Sequence, residues 1–158
     1  MILHSRAIYN NFYNKWIGKE PPNVNNINER SWRFHTVAWE LFNAYMTEIG
    51  CDRDFNCDMT GYVDDIWKNR RFNGILDYCQ EVPYSKRKKG DIVVFKSTVS
   101  GLPFVAIVHA RNLFDSEDEI FCAGVYLTLE ARTVKYDYTK ETFNLLPYPT
   151  VFRPKILL

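Results

Sequence analysis

The sequence predicts an α+β domain, with N-terminal helices packed on a C-terminal antiparallel sheet. Apolar residues recur at helical spacing through the first half of the chain, and short β-branched runs take over after residue 90. Helices come first and strands second, the signature of helices packed on an antiparallel sheet. At 158 residues the chain has the commonest single-domain size, so one domain, 1–158, is expected.

In chain order, Ile8, Phe12 and Trp16 mark one face of a first helix. Ser5 is its expected cap, and Gly18 with Pro21-Pro22 ends it. The Asn-rich stretch 23–30 reads as a surface loop. A second helix is expected from about Phe34 to Ile49, with Val37, Leu41, Tyr45 and Ile49 on one stripe. Ala38, Phe42 and Ala44 widen that stripe, and Gly50 suits the C′ position. Thr60 to Arg70 is a third helix candidate, capped by Thr60, with Val63, Ile66 and Trp67 inward. Asn73-Gly74 is a turn before a short apolar piece, Ile75 to Cys79. Strands are expected over Asp91–Lys96, Leu102–Ala110, Ile120–Leu127, Arg132–Tyr138 and Thr150–Arg153. The basic run Lys86-Arg87-Lys88-Lys89 reads as a solvated turn, with an anion contact as the sharper alternative.

A net charge of +1 excludes nucleic-acid binding driven by bulk positive charge, so no nucleic-acid partner is expected. No apolar run reaches the length of a membrane span, and residues 1–14 lack the apolar core of a secretory signal. Cys51, Cys57, Cys79 and Cys122 form no C-x-x-C pair, and His4, His35 and His109 are scattered. Buried free thiols are therefore expected in place of a zinc site or disulfide framework, and no cofactor is implied. Aromatic residues make up 16% of the chain, enough to fill a core and leave rings for an interface.

The segment Val82–Val108, VPYSKRKKGDIVVFKSTVSGLPFVAIV, resembles the P-x-x-G-D-I-V-V-F … G-H-V-A-I-V stretch of CHAP domains. These are papain-like (NlpC/P60 class) cysteine, histidine-dependent amidohydrolases or peptidases that cut the peptides of peptidoglycan. Tyr13–Lys19 resembles the opening N-K-Y-x-G-K, and Trp39–Tyr45 resembles the V-D-L-F-x-x-Y that follows the catalytic Cys. Asp64–Trp67 and Asn73–Tyr78 stand where the family has its next helix and its N-G turn. Leu145–Tyr148 with Phe152–Lys155 resembles its closing G-x-L-x-x-x-R-P-K. The resemblance thus covers nearly the whole chain and implies the papain-like (NlpC/P60/CHAP) fold.

Carried over by position, the resemblance puts the family's nucleophilic Cys at Ala38, its oxyanion Gln at Val37 and its base His at Phe104. None of these side chains can do that chemistry. The residue that would orient the His falls near Phe121–Ala123, where Cys122 would serve poorly. His109 is five residues after Phe104, so strand alternation turns it away from the site unless a bulge intervenes. His35 and Thr36 are the remaining candidates for a relocated base and hydroxyl. Trp32, Trp39, Phe104 and Tyr126 are candidate groove or interface aromatics, weighed against a plain core role.

The expected function is that of a catalytically inactive CHAP-like domain, a structural or interaction protein of a bacteriophage virion or tail. Its partners would be other proteins of the particle, and peptidoglycan is a further candidate. It would be made in the host cytoplasm, without a signal peptide. The alternatives are a peptidoglycan amidase or endopeptidase with relocated catalytic residues, and a wall-binding module that does not cleave.

Overall fold

The computed structural model describes residues 2–22, 33–51, 62–99, 102–112, 117–125, 128–137 and 144–155, with only the helical backbone given for 2–6 and 33–36. The expected loop at 23–30, the cap Thr60 and Cys57 lie outside the described residues.

Helix α1 runs over Ile2–Trp16 and buries Tyr9 and Phe12 completely, with Ile8, Tyr13 and Trp16 packed at the margin. Ser5 is inside this helix, so it is not the expected cap. Gly18, at φ +75°, turns the chain out of α1 in a conformation that glycine tolerates best. Its N–H donates to the Ala131 carbonyl, and the Ala131 N–H donates to the Lys19 carbonyl, both at 2.8 Å. This clip fixes the C-terminal end of α1 to the start of the last long strand.

Helix α2, Arg33–Glu48, presents two adjoining rows to the core. Val37, Leu41 and Tyr45 form one, continued by Ile49 just past the helix end, and Ala38, Phe42 and Met46 form the other. Met46 holds the place given to Ala44, which is only partly buried. Gly50 is at φ +105°; its N–H reaches the Thr47 carbonyl, and the Cys51 N–H reaches that of Met46. These two bonds form a Schellman cap.

The third helix is shorter than expected: α3 covers only Asp65–Lys68, and Asp64 precedes it without a side-chain cap. A second single turn, α4, covers Ile75–Tyr78. Asn73 ties the two together. Its amide donates to the Asp65 and Ile66 carbonyls, and its Oδ1 accepts from the Ile75 N–H. Gly74, at φ +86°, completes the turn.

Among the described residues, seven strands form one antiparallel sheet. They are β1 (Cys79–Pro83), β2 (Ile92–Ser97), β3 (Phe104–Arg111), β4 (Glu117–Cys122), β5 (Arg132–Asp137), β6 (Leu145–Pro147) and β7 (Thr150–Pro154). The spatial order is β1-β7-β2-β3-β4-β5, with β6 paired to the far end of β2. The sequence reading lacks β1 and β6. It also places β4 too late, because that strand opens on the charged triplet Glu117-Asp118-Glu119.

Both faces of the sheet are covered, which explains why β2 and β3 read as unbroken apolar runs. Ile92, Val94, Val105, Ile107 and Phe121 face the helices. Val93, Phe95, Ala106, Val108, Ile120 and Tyr136 fill a second core on the opposite face. The sheet itself closes over that second core. Phe95 of β2 and Tyr136 of β5 are three strands apart, about 14 Å if the sheet were flat. Their ring centroids are 4.8 Å apart, so the sheet is strongly curled.

Candidate functional site

Val37 and Ala38 lie on the inward stripe of α2, 0% and 1% exposed. They share one apolar cluster with Val105, Ile107 and Ala123 of the sheet side, and half-buried Phe104 packs at its edge and against the second core as well. Phe104 opens β3, opposite Phe95 of β2. The three positions that the resemblance assigns to nucleophile, oxyanion donor and base are thus occupied by an alanine, a valine and a phenylalanine that join the core. The orienting position fares no better. Phe121 and Ala123 are fully buried in the helix-side cluster, while Cys122 faces the other core.

Trp39 is also a core residue. It is buried and packs against Phe42 at 5.3 Å, which removes it from the groove aromatics. Trp32 and Tyr126 lie outside the described residues. His35 and Thr36 stand on the first turn of α2, and their side chains are outside the described set.

Cys51, Cys79 and Cys122 are buried, and none of the three is in a disulfide. Burial pushes the Cys122 thiol up to about 12 and raises the Cys79 thiol as well. Neither is a thiolate at neutral pH, so neither offers a nucleophile.

A bulge does interrupt β3, between Val108 and Ala110. It does not bring His109 to Ala38. His109 Nδ1 is 2.8 Å from the Tyr9 hydroxyl, and its ring packs on Tyr13 at 4.5 Å, tilted by 34°. Tyr9 in turn meets Tyr45, seven residues beyond Ala38 and so about 10 Å further along α2. His109 therefore belongs to the opposite end of the helix–strand contact from Phe104.

The motif residues around this region hold the fold. Asp91, fully buried, accepts from the Lys88 N–H at 2.8 Å and from Arg153 Nε and Nη2 at 3.0 and 2.8 Å. Burial raises its carboxyl pKa while Arg153 opposes the rise. The GDIVVF segment and the closing Arg153-Pro154 thus meet in one ion pair across β2 and β7. Arg87 corrects the reading of the basic run as solvated. It is 3% exposed, grips Asp118 of β4 through both carboxylate oxygens, and stacks over Tyr84 at 4.1 Å. Lys86, Lys88 and Lys89 remain exposed. Nothing in the sequence links positions 87 and 118 or 91 and 153, so these partnerships were invisible there.

This chain is similar to a phage endopeptidase. Over 127 residues, 77% of this chain, it is 30% identical to a D-alanyl-L-alanine endopeptidase of Streptococcus phage B30. The chain spans about a quarter of that protein's length, 26%. No family model and no solved structure matches it. Among the described residues, no three His, Cys, Asp or Glu side chains cluster as a metal site would need.

Proposed function

We propose that this chain is a catalytically inactive CHAP-like domain, derived from phage endopeptidases that cut peptidoglycan peptides, and that it serves as a structural or interaction part of a phage particle. One observation carries this reading: Val37, Ala38 and Phe104 occupy the implied catalytic positions and pack into the core. A cysteine hydrolase needs a thiolate, a base and an oxyanion donor in one solvent-reachable slot. Here the same positions offer only hydrocarbon. The packing of α2 against β3, with Ala38 in the same core cluster as Val105 and Ile107, supports a papain-like arrangement.

The similarity to a D-alanyl-L-alanine endopeptidase supports the substrate class from which the domain derives. A peptide bond between a D- and an L-alanine is a wall-peptide linkage. The same similarity favours a second reading, a working endopeptidase that uses His35 and Thr36 in place of the absent pair.

Digestion of purified peptidoglycan separates the two. The chain is incubated with walls of several types beside an active phage endopeptidase, and soluble muropeptides are read by mass spectrometry. The expected result is no release above buffer at high protein and long times. Release that disappears in Thr36→Ala or His35→Ala would overturn the inactive reading. Co-sedimentation with the same walls, without release, would move the role from particle component to wall binder.

A further inference from the structure

The Tyr9 side chain is fully buried, and its hydroxyl has one hydrogen-bond partner among the described residues, Nδ1 of His109 at 2.8 Å. The histidine itself is only half-buried. A buried phenol needs an acceptor, and this acceptor is a group that water can protonate. We propose that the Tyr9–His109 pair is a pH-sensitive latch, which holds the middle of α1 against β3 at neutral pH and loosens it in acid.

Burial holds the Tyr9 phenol well above its ordinary range, so at neutral pH it keeps its proton; in the latch its O–H donates a hydrogen bond to Nδ1. That bond selects the neutral histidine tautomer with the ring proton on Nε2. Protonation at Nδ1 removes the acceptor. The phenol must then turn to accept, and its own proton is left buried without a partner, at the cost of a lost hydrogen bond.

The groups around the pair set the direction. From α1, Tyr9 and Tyr13 pack on the imidazole. From the loop before β2, Lys89 lies over the Tyr9 ring at 5.9 Å and repels a charged histidine. From β4, Glu119 favours the charged form. From α2, Tyr45 meets Tyr9 edge-on. Burial is the largest influence, and with Lys89 it outweighs Glu119, so the His109 pKa is lowered. The latch energy is therefore present above the unfolded-state value of 6.5 and is lost as pH falls through the lower folded-state value. The C-terminal end of α1 has its own clip at Gly18 and Ala131, so loosening centres on the Tyr9 turn.

Hydrogen exchange of the full chain at pH 7.5 and 5.0, corrected for intrinsic rates, reads the latch directly. The wild type is expected to lose protection over residues 8–16 at pH 5.0 while β2 and β3 keep theirs. In His109→Asn, whose amide oxygen can take the place of Nδ1 and accept from Tyr9 without titrating, that loss is expected to vanish. Equal loss in both proteins, or no loss in the wild type, would overturn the latch. Should the variant not fold, NMR titration of His109 in the wild type decides. A midpoint below 6.5 agrees, and one at or above 6.5 refutes.

Discussion

Ala38 shows how little a single side chain can restore. At 1% exposure it has core neighbours on every side, so Ala38→Cys introduces a sulfur into packed space at about 1–3 kcal/mol. The new thiol has no base, because Phe104 stands where the resemblance places one. Muropeptide release by this variant is expected to stay at the buffer level. Arg87 makes a different point about single residues. Arg87→Ala strands the buried Asp118 carboxylate and is expected to cost about 3–5 kcal/mol in denaturant titration. Replacing both partners, Arg87→Met with Asp118→Leu, removes the stranded charge and is expected to recover most of that loss. Equal destabilisation by the single and double variants would mean that the pair itself, not the uncompensated charge, carries the energy.

Among the elements, α2 was the most legible. Its stripe, its length to within a residue at either end and its glycine stop are all written in local spacing. Gly50→Ala tests that stop. A Cβ there meets no atom within 4 Å, so only the left-handed backbone opposes it. The expected cost is about 1–2 kcal/mol, read as a lower melting temperature with unchanged fold. The elements that local spacing hid are those defined by partners. β1 reads CQEVP and β6 reads LLP, too short and too proline-marked to announce themselves, and each is a strand only because β7 or β2 lies beside it. The opening of β4 was hidden by its acidic residues, one of which is buried only because Arg87 meets it. The third helix shrank for a related reason. Trp67 spends its ring on Tyr148 and its indole N–H on Thr150, contacts to the sheet and not to a longer helix.

At the scale of the whole molecule, two buried phenols tie the helices to the sheet, Tyr9 to His109 and Tyr45 to the Gly90 carbonyl at 2.7 Å. Burial raises the pKa of both above the ordinary value of 10. The sign follows from linkage. The unfolded chain releases these protons near pH 10 and the folded chain holds them, so their stabilisation is full below pH 10 and is lost as pH rises above it. Alkaline unfolding is therefore expected to coincide with a steep rise in tyrosinate absorbance. Tyr45→Phe is expected to cost about 0.5–1.5 kcal/mol at pH 7 and to make the decline above pH 10 shallower. An unchanged alkaline slope in that variant would show that Tyr45 is not one of the titrating groups.

Local sequence was enough for the mixed class of helices and antiparallel sheet, the two principal helices and the main strands, and for the apolar character of Val37, Ala38 and Phe104. Those properties rest on local periodicity and on which atoms a side chain owns. Tertiary structure decided that the sheet curls over a second core, that Arg87 is buried against Asp118, that Asp91 meets Arg153, and that His109 joins Tyr9 at the far end of α2. Each of these depends on groups dozens of residues apart in the chain. Their burial and charge balance exist only once the backbone has brought them into contact.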